Sequence, residues 1–226
     1  MSFMFSQSCV LCASKSNSLL CSRCTIKLPS NSNCCEICAK PLSFTATSML
    51  CGRCLQKKPL INKIHAPFLY QQPITYFIAQ LKFNKRLVYA KLLSSLIEEY
   101  LISHKLFDTG IIIPVPLHKK RLRERGFNQA IELIKPLAKK HNQPIESSQY
   151  IRTKKTCPQS NLRADQRANN VKNAFSSRKS KACKDVLIVD DVITTGNTIN
   201  EFSTVLKRNG AKTINVICIA HSVPKN

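Results

Sequence analysis

Helical periodicity of apolar residues begins only after residue 58, where a cysteine-rich segment ends. The longest periodic stretch is residues 86–101, in which every fourth residue from Val88 to Tyr100 is apolar and forms a predicted core stripe. The pattern predicts helices over residues 73–82, 86–101, 127–140 and 197–209.

Unbroken apolar runs predict strands over residues 111–115, 185–189 and 213–219. Such runs are typical of central parallel strands, which are buried on both faces. The strand, helix and strand between residues 185 and 219 form a βαβ unit. We therefore predict an α/β fold with an open, mainly parallel sheet.

The cysteines define a separate N-terminal module, which we place at residues 1–58, with the α/β domain at residues 59–226. Eight of the 12 cysteines form four C-x-x-C pairs: Cys9/Cys12, Cys21/Cys24, Cys35/Cys38 and Cys51/Cys54. Two such pairs complete a tetrahedral zinc site with Zn–S distances of ~2.3 Å, so four pairs predict two zinc ions.

The pairing of the cysteines is left open by their spacing. Sequential pairing is the simplest arrangement, but a cross-braced arrangement uses the same residues, and Cys34 could replace Cys35. An all-cysteine site has no open position for a reactive water, so we expect the zinc to be structural.

The chain is strongly basic, with 35 Lys and Arg against 12 Asp and Glu and a formal net charge of +23. This charge favours polyanionic partners such as nucleic acid or phosphorylated metabolites. No stretch approaches the ~18 apolar residues of a membrane span. The N-terminus has neither the basic nor the apolar region of a signal peptide, so we expect a cytoplasmic protein.

Candidate binding chemistry lies directly after the predicted strand 185–189, at the strand end where α/β folds bind ligands. Asp190 and Asp191 can accept hydrogen bonds from the vicinal hydroxyls of a ribose or bind the hydration shell of Mg²⁺. The following segment, TTGNT, supplies hydroxyls and a glycine at a helix start, which suits a phosphate. Together these residues predict a ribose 5-phosphate pocket. The chain lacks the P-loop and dinucleotide fingerprints, which excludes those classes of site.

Two basic segments accompany this pocket. Residues 117–128 follow a predicted strand as a loop at the same sheet edge, where Arg121, Arg125 and Asn128 are candidates for binding pyrophosphate. Lys119, Lys120 and Arg123 also fit a solvated face. Residues 152–184 carry ten Lys and Arg with one acid and predict a mobile loop, whose cations could follow a nucleic-acid backbone.

The run VLIVDDVITTGNT resembles the phosphoribosyl pyrophosphate (PRPP) signature of type I phosphoribosyltransferases. The wider chain is similar to the ComF family of competence-related, phosphoribosyltransferase-like proteins. The similarity extends over the paired cysteines, the segment PVPLHKKRLRERGFNQA and the PRPP run. A third matching block comprises Thr156, Gln159, Leu162, Arg167, Asn170, Val171, Ala174 and Phe175.

The resemblance implies a type I phosphoribosyltransferase-like domain behind a double zinc ribbon, with structural Zn²⁺, and Mg²⁺ bound together with PRPP. It implies that Asp190 and Asp191 hold the ribose hydroxyls, and that the turn after them binds the 5-phosphate. It also implies that Gln159, Arg163 and Arg167 lie on a mobile loop that closes over PRPP. The PRPP-binding run is Asp190, Asp191, Val192, Ile193, Thr194, Thr195, Gly196, Asn197 and Thr198.

Two functions are compatible with these features. One is a protein of natural transformation that binds PRPP and, through basic surfaces, single-stranded DNA, with DNA-uptake or recombination proteins as further partners. The alternative is an active phosphoribosyltransferase that transfers phosphoribosyl from PRPP to a nitrogen acceptor in nucleotide metabolism. The sequence identifies neither an acceptor nor a catalytic residue. A charge of +23 exceeds what one pyrophosphate requires, which favours the first function.

Overall fold

The structure of the protein is a computed structural model that describes residues 7–43, 48–57, 59–108, 110–154, 171–178 and 184–222. The described part of the N-terminal module contains four short elements. These are β1 (Gln7–Ser8), β2 (Lys15–Ser16), α1 (Ser22–Ile26) and α2 (Gly52–Gln56). Short helices of this kind are unstable alone, so the module depends on its cysteines and on docking.

A parallel five-stranded sheet forms the centre of the α/β domain, as predicted. Its strands are β3 (Lys63–His65), β4 (Phe68–Leu69), β5 (Ile111–Pro114), β8 (Asp185–Ile193) and β9 (Thr213–His221). The order is β3–β9–β8–β5, and β4 also pairs with β9. A separate antiparallel pair is formed by β6 (Tyr150–Arg152) and β7 (Phe175–Ser177).

Helices cover both faces of the sheet. On one face, Leu187 and Ile217 belong to a core shared with α3 (Ile74–Lys82), α4 (Val88–Ser103) and α6 (Gln129–Lys140). On the other face, Ile188 and Val216 pack with α7 (Asn197–Arg208) and with β7. The helix α5 (Lys119–Arg125) follows β5 at the carboxyl edge of the sheet. The described residues contain no helix long and apolar enough to cross a membrane.

Strand β8 is longer than predicted. Pairing with β9 continues past Val189 through Asp190 and ends at Ile193, opposite His221. Asp190 and Asp191 therefore lie inside the strand rather than in a loop after it. Carboxylates can lie in this buried strand because Lys82 of α3 forms an ion pair with Asp191 and compensates its charge.

Two other predictions were wrong in detail. The basic segment after β5 is the helix α5, which the His118 side chain caps by accepting a hydrogen bond from the Lys120 N–H at 3.2 Å. Gly126, at φ 89°, ends this helix. The buried face of α4 differs from the predicted stripe of every fourth residue, because Val88, the first residue of that stripe, is 37% exposed. Because α4 packs against both α3 and α6, it buries a wider face, which contains Tyr89, Ala90, Leu92, Leu93, Ser94, Ile97 and Leu101.

The N-terminal module docks on the sheet edge formed by β3 and β4. Backbone hydrogen bonds join the Ile64 N–H to the Ile37 carbonyl at 2.7 Å and the Leu69 N–H to the Pro29 carbonyl at 2.8 Å. The buried Asn31 side chain donates to the carbonyls of Ala39 and Ala66. Cysteines of the first two C-x-x-C pairs pack in the core that contains α3, α4 and α6. Those of the last two pairs pack in the core on the other face, with α7. The module is therefore part of the packed structure on both faces of the sheet.

Candidate functional site

The acidic pair lies near the carboxyl end of β8. Asp191 is buried at 4% exposure, and its Oδ2 forms an ion pair with Lys82 Nζ at the end of α3. Each carboxylate also accepts a hydrogen bond from the next backbone N–H, at 2.9 Å for Asp190 and 2.8 Å for Asp191. These bonds and the ion pair compensate the buried negative charge.

Opposite charges and burial compete at Asp190. Burial raises the pKa of Asp190 to about 6, although Lys82, Arg152 and Arg125 lower it. Burial in turn lowers the pKa of Lys82 to about 8, with Arg125 and Arg121 acting in the same direction and Asp190 opposing them. The acidic pair is therefore surrounded by a surplus of cationic side chains, which suits a ligand carrying several negative charges.

The turn after β8 adds a second polar surface. Gly196 adopts the left-handed conformation at φ 76° immediately before α7, which an L side chain rarely adopts. The backbone N–H groups at the start of α7 have no partner within the helix, and the helix dipole favours an anion there. Thr195 Oγ1 is buried without a hydrogen-bond partner among the described residues. The turn therefore provides donors at the same sheet edge as the acidic pair.

Helix α5 lies at this edge because β5 and β8 run parallel. Arg125 is close enough to alter the pKa of both Asp190 and Lys82, and Arg121 alters the pKa of Lys82. The Asn128 side chain forms two hydrogen bonds within the protein. Its Oδ1 accepts from the Ala130 N–H at 3.0 Å, and its Nδ2 donates to the Val115 carbonyl at 3.0 Å. Asn128 thus holds the start of α6 against the end of β5, and we expect it to position the basic helix. Gln159, Arg163 and Arg167 lie outside the described residues.

Sequence reasoning missed three cationic residues of this edge. Lys82 ends α3, Arg152 ends β6, and Arg53 lies in the fourth C-x-x-C of the module. Arg53 Nη1 donates a hydrogen bond to the Thr195 carbonyl at 2.6 Å. Arg53 carried a local signal, because it stands between two candidate metal ligands, and Arg152 was counted only among the cations of the basic segment 152–184. Lys82 and Arg152 reach the acidic pair through tertiary structure alone.

The eight paired cysteines form two clusters. Each contains four sulfurs that all lie within 4.8 Å of one another, and the groups are Cys9, Cys12, Cys21, Cys24 and Cys35, Cys38, Cys51, Cys54. The Sγ atoms of Cys12 and Cys21 are 3.7 Å apart, and those of Cys38 and Cys51 are 3.5 Å apart. Tetrahedral zinc with Zn–S bonds of ~2.3 Å separates its sulfurs by about 3.8 Å, so both clusters fit zinc.

The grouping is sequential and not cross-braced. Cys35 belongs to the second cluster, whereas the neighbouring Cys34 lies outside it and forms a backbone bridge with Pro41. Burial raises the pKa of the Cys34 thiol, and the charge of Cys35 adds to this effect. Cys34 is therefore expected to remain a neutral thiol beside the cluster.

Comparisons with known families agree with these two parts of the fold. The double zinc ribbon domain matches residues 1–55, and the phosphoribosyl transferase domain matches residues 129–225. The fold and the site thus define a phosphoribosyltransferase-like protein with an N-terminal double zinc ribbon.

Curated relatives extend the similarity to nearly the whole chain. DNA utilization protein YhgH of Escherichia coli O157:H7 is 36% identical over 209 residues, which cover 90% of this chain and 91% of the relative. Competence protein F of Haemophilus influenzae is 35% identical over 210 residues, or 90% of each chain. Competence protein ComFC of Streptococcus pneumoniae is 28% identical and covers 88% of this chain and 86% of the relative. The chain belongs to the ComF family.

A solved purine phosphoribosyltransferase from Pyrococcus horikoshii is also similar, with 19% identity and a TM-score of 0.33 over 59% of this chain and 79% of the other. This is slight overall similarity. The fold assignment rests on the parallel sheet, the cysteine clusters and the family matches.

The metal clusters lead to a first prediction. We expect two zinc ions per chain, one for each four-cysteine cluster. Cys35→Ser should lower the zinc content by one ion, because it removes a thiolate ligand of the second cluster. Cys34→Ser, the adjacent control, should retain both ions. Elemental analysis by plasma mass spectrometry checks this, and equal losses from the two variants would contradict the grouping.

The competition at Asp190 leads to a second prediction. Asp190 is ionised above a pH of about 6 and neutral below it. Lys82→Met should raise the pKa of Asp190 further, because burial is then opposed by fewer cations. The measurement is a ¹³C NMR titration of aspartate carboxyl carbons, with Asp190→Asn assigning the signal.

The control for this titration is Lys91→Met, which changes an exposed lysine of α4 and should leave the Asp190 midpoint unchanged. An Asp190 midpoint in Lys82→Met that is equal to or lower than that of the wild type would show that Lys82 does not act on this carboxylate.

Proposed function

We propose that this protein binds PRPP together with Mg²⁺ at the carboxyl edge of its sheet and acts in DNA uptake during natural transformation. The observation that carries the proposal is the acidic pair, surrounded by cations and followed directly by a left-handed glycine turn at a helix start. The names of the relatives, which refer to competence and DNA utilization, support the biological role.

Each part of the site suits one part of PRPP. Asp190 is the more exposed carboxylate and accepts hydrogen bonds from the ribose hydroxyls, while Asp191 holds Lys82 beside it. The N–H groups from Gly196 onward receive the 5-phosphate. Arg121 and Arg125 offset the charge of the pyrophosphate, and Mg²⁺, which the Asp190 carboxylate would help to hold, would supply further positive charge.

Calorimetry with PRPP and Mg²⁺ tests this assignment. The double variant Asp190→Asn/Asp191→Asn should bind PRPP about 100-fold more weakly, since it loses the charged acceptor of the ribose hydroxyls and the carboxylate that holds Lys82. Asp185→Asn is the matched control, because it makes the same change at the exposed opposite end of β8. Unchanged affinity in the double variant would rule out the pocket. Release of pyrophosphate from PRPP on adding nitrogen bases would favour the alternative, an active transferase.

Single-stranded DNA is the proposed larger partner, and the turn between α3 and α4 favours it. This turn, residues 83–87, exposes Phe83 at 74% and Leu87 at 46%, next to Lys85 and Arg86. Phe83 directly follows Lys82, so the turn starts at the proposed pocket. Exposed aromatic rings stack on bases in a sequence-tolerant way, and neighbouring cations contact the phosphates.

The strength of this interaction should fall steeply with salt, because each phosphate contact releases counterions. Phe83→Ala should weaken the binding of a single-stranded oligonucleotide by about tenfold at fixed salt, through lost stacking. Ile26→Ala is the control, since Ile26 is a similarly exposed apolar residue on α1. Fluorescence anisotropy measures both effects. A flat salt response, or equal binding by the two variants, would contradict the proposal.

A further inference from the structure

The zinc-ribbon module touches the proposed phosphate turn at one point. Arg53 Nη1 lies 2.6 Å from the carbonyl oxygen of Thr195, a residue 142 positions later in the chain. The other terminal nitrogen, Nη2, lies 3.7 Å from the position that a Cβ on Gly196 would occupy. The guanidinium group thus lies against the peptide bond between Thr195 and Gly196.

The orientation of this peptide decides where the Gly196 N–H points. In a trans peptide the carbonyl and the following N–H point in opposite directions. A carbonyl held towards Arg53 therefore turns the Gly196 N–H away from the module. Glycine reaches both signs of φ at little cost, so this peptide could otherwise rotate. A hydrogen bond from a charged donor is strong enough to select one orientation.

Arg53 is itself held by the second cysteine cluster. It belongs to α2, between Cys51 and Cys54, which are two of the four cysteines that fit zinc. The cluster packs in the same core as Ile193 and Ile199, which flank the phosphate turn. A five-residue helix does not persist without external constraints, so the zinc ligands keep Arg53 in place.

We propose that Arg53 is a positioning residue for the phosphate turn, and that the second zinc ion is thereby coupled to binding of the 5-phosphate. This inference rests on the proposed function and deepens it. The module contributes to the ligand site from outside the sheet, through one hydrogen bond to the backbone.

The first ribbon provides a matched control. Arg23 occupies the same place in the sequence C-S-R-C as Arg53 does in C-G-R-C, and it is likewise exposed on a five-residue helix. Both substitutions to alanine remove one charge from the same position of a cysteine knuckle. Arg53→Ala should weaken the binding of PRPP and of ribose 5-phosphate by about tenfold. Arg23→Ala should leave both affinities unchanged, and both variants should keep two zinc ions.

A measurement on the ligand-free protein separates positioning from direct ligand contact. Labelling threonine at the ¹³C carbonyl and glycine with ¹⁵N marks two peptide bonds, Thr109–Gly110 and Thr195–Gly196. Arg53→Ala should shift the Gly196 signal without ligand and leave Gly110 as an internal reference. An unshifted Gly196 signal would overturn the positioning role, even if affinity fell.

The zinc coupling has its own readout, because linkage is reciprocal. Ribose 5-phosphate should raise the equilibrium affinity for one zinc ion, measured by competition with a colorimetric chelator, in Arg23→Ala but not in Arg53→Ala. An equal increase in both variants would overturn the coupling. If the wild type bound no PRPP, the proposed function would fail, whereas the Gly196 shift in the ligand-free protein would still test Arg53.

Discussion

Two adjacent carboxylates inside a buried parallel strand impose the constraint on which the rest of the site depends. Charges in such a place are stable only when cations and donors lie beside them. Lys82 provides the cation for Asp191. Because Lys82 is the last residue of α3, this ion pair also holds the end of α3, and the start of the exposed turn after it, beside the acidic pair. Arg125 and Arg152 act on Asp190 from α5 and β6. A single electrostatic requirement therefore gathers three elements, far apart in sequence, at the carboxyl edge of the sheet.

The parts of the site that could be predicted are contiguous in the chain. The run from Asp190 to Thr198 contains strand end, glycine turn and helix start in order, and each C-x-x-C is a local knuckle. The residues that escaped prediction act across the fold, as Lys82 does on Asp191 and Arg53 on Thr195. No spacing rule relates such pairs. The length of β8 was underestimated for the same reason, because the lysine that permits acidic residues in the strand comes from elsewhere.

The proposed pocket extends beyond the residues that match the phosphoribosyl transferase domain. This domain matches residues 129–225, which include the acidic pair and the proposed phosphate turn. Lys82, Arg121 and Arg125, with Arg53 of the ribbon, all precede that range. The part of the chain that matches the phosphoribosyl transferase domain thus supplies the acceptors and backbone donors, while the residues before it supply most of the positive charge that the described structure places around them.

The pairing of β3 with β9 has a consequence for how the chain is made. Strand β3, at residues 63–65, is translated long before its hydrogen-bonding partner β9, at residues 213–221. Until β9 is made, β3 lacks this partner, and unpaired strand edges promote aggregation. The cysteine clusters close over short loops and can assemble as soon as they are translated. We expect a ribbon that has bound metal to give β3 its backbone partner Ile37 before β9 is made.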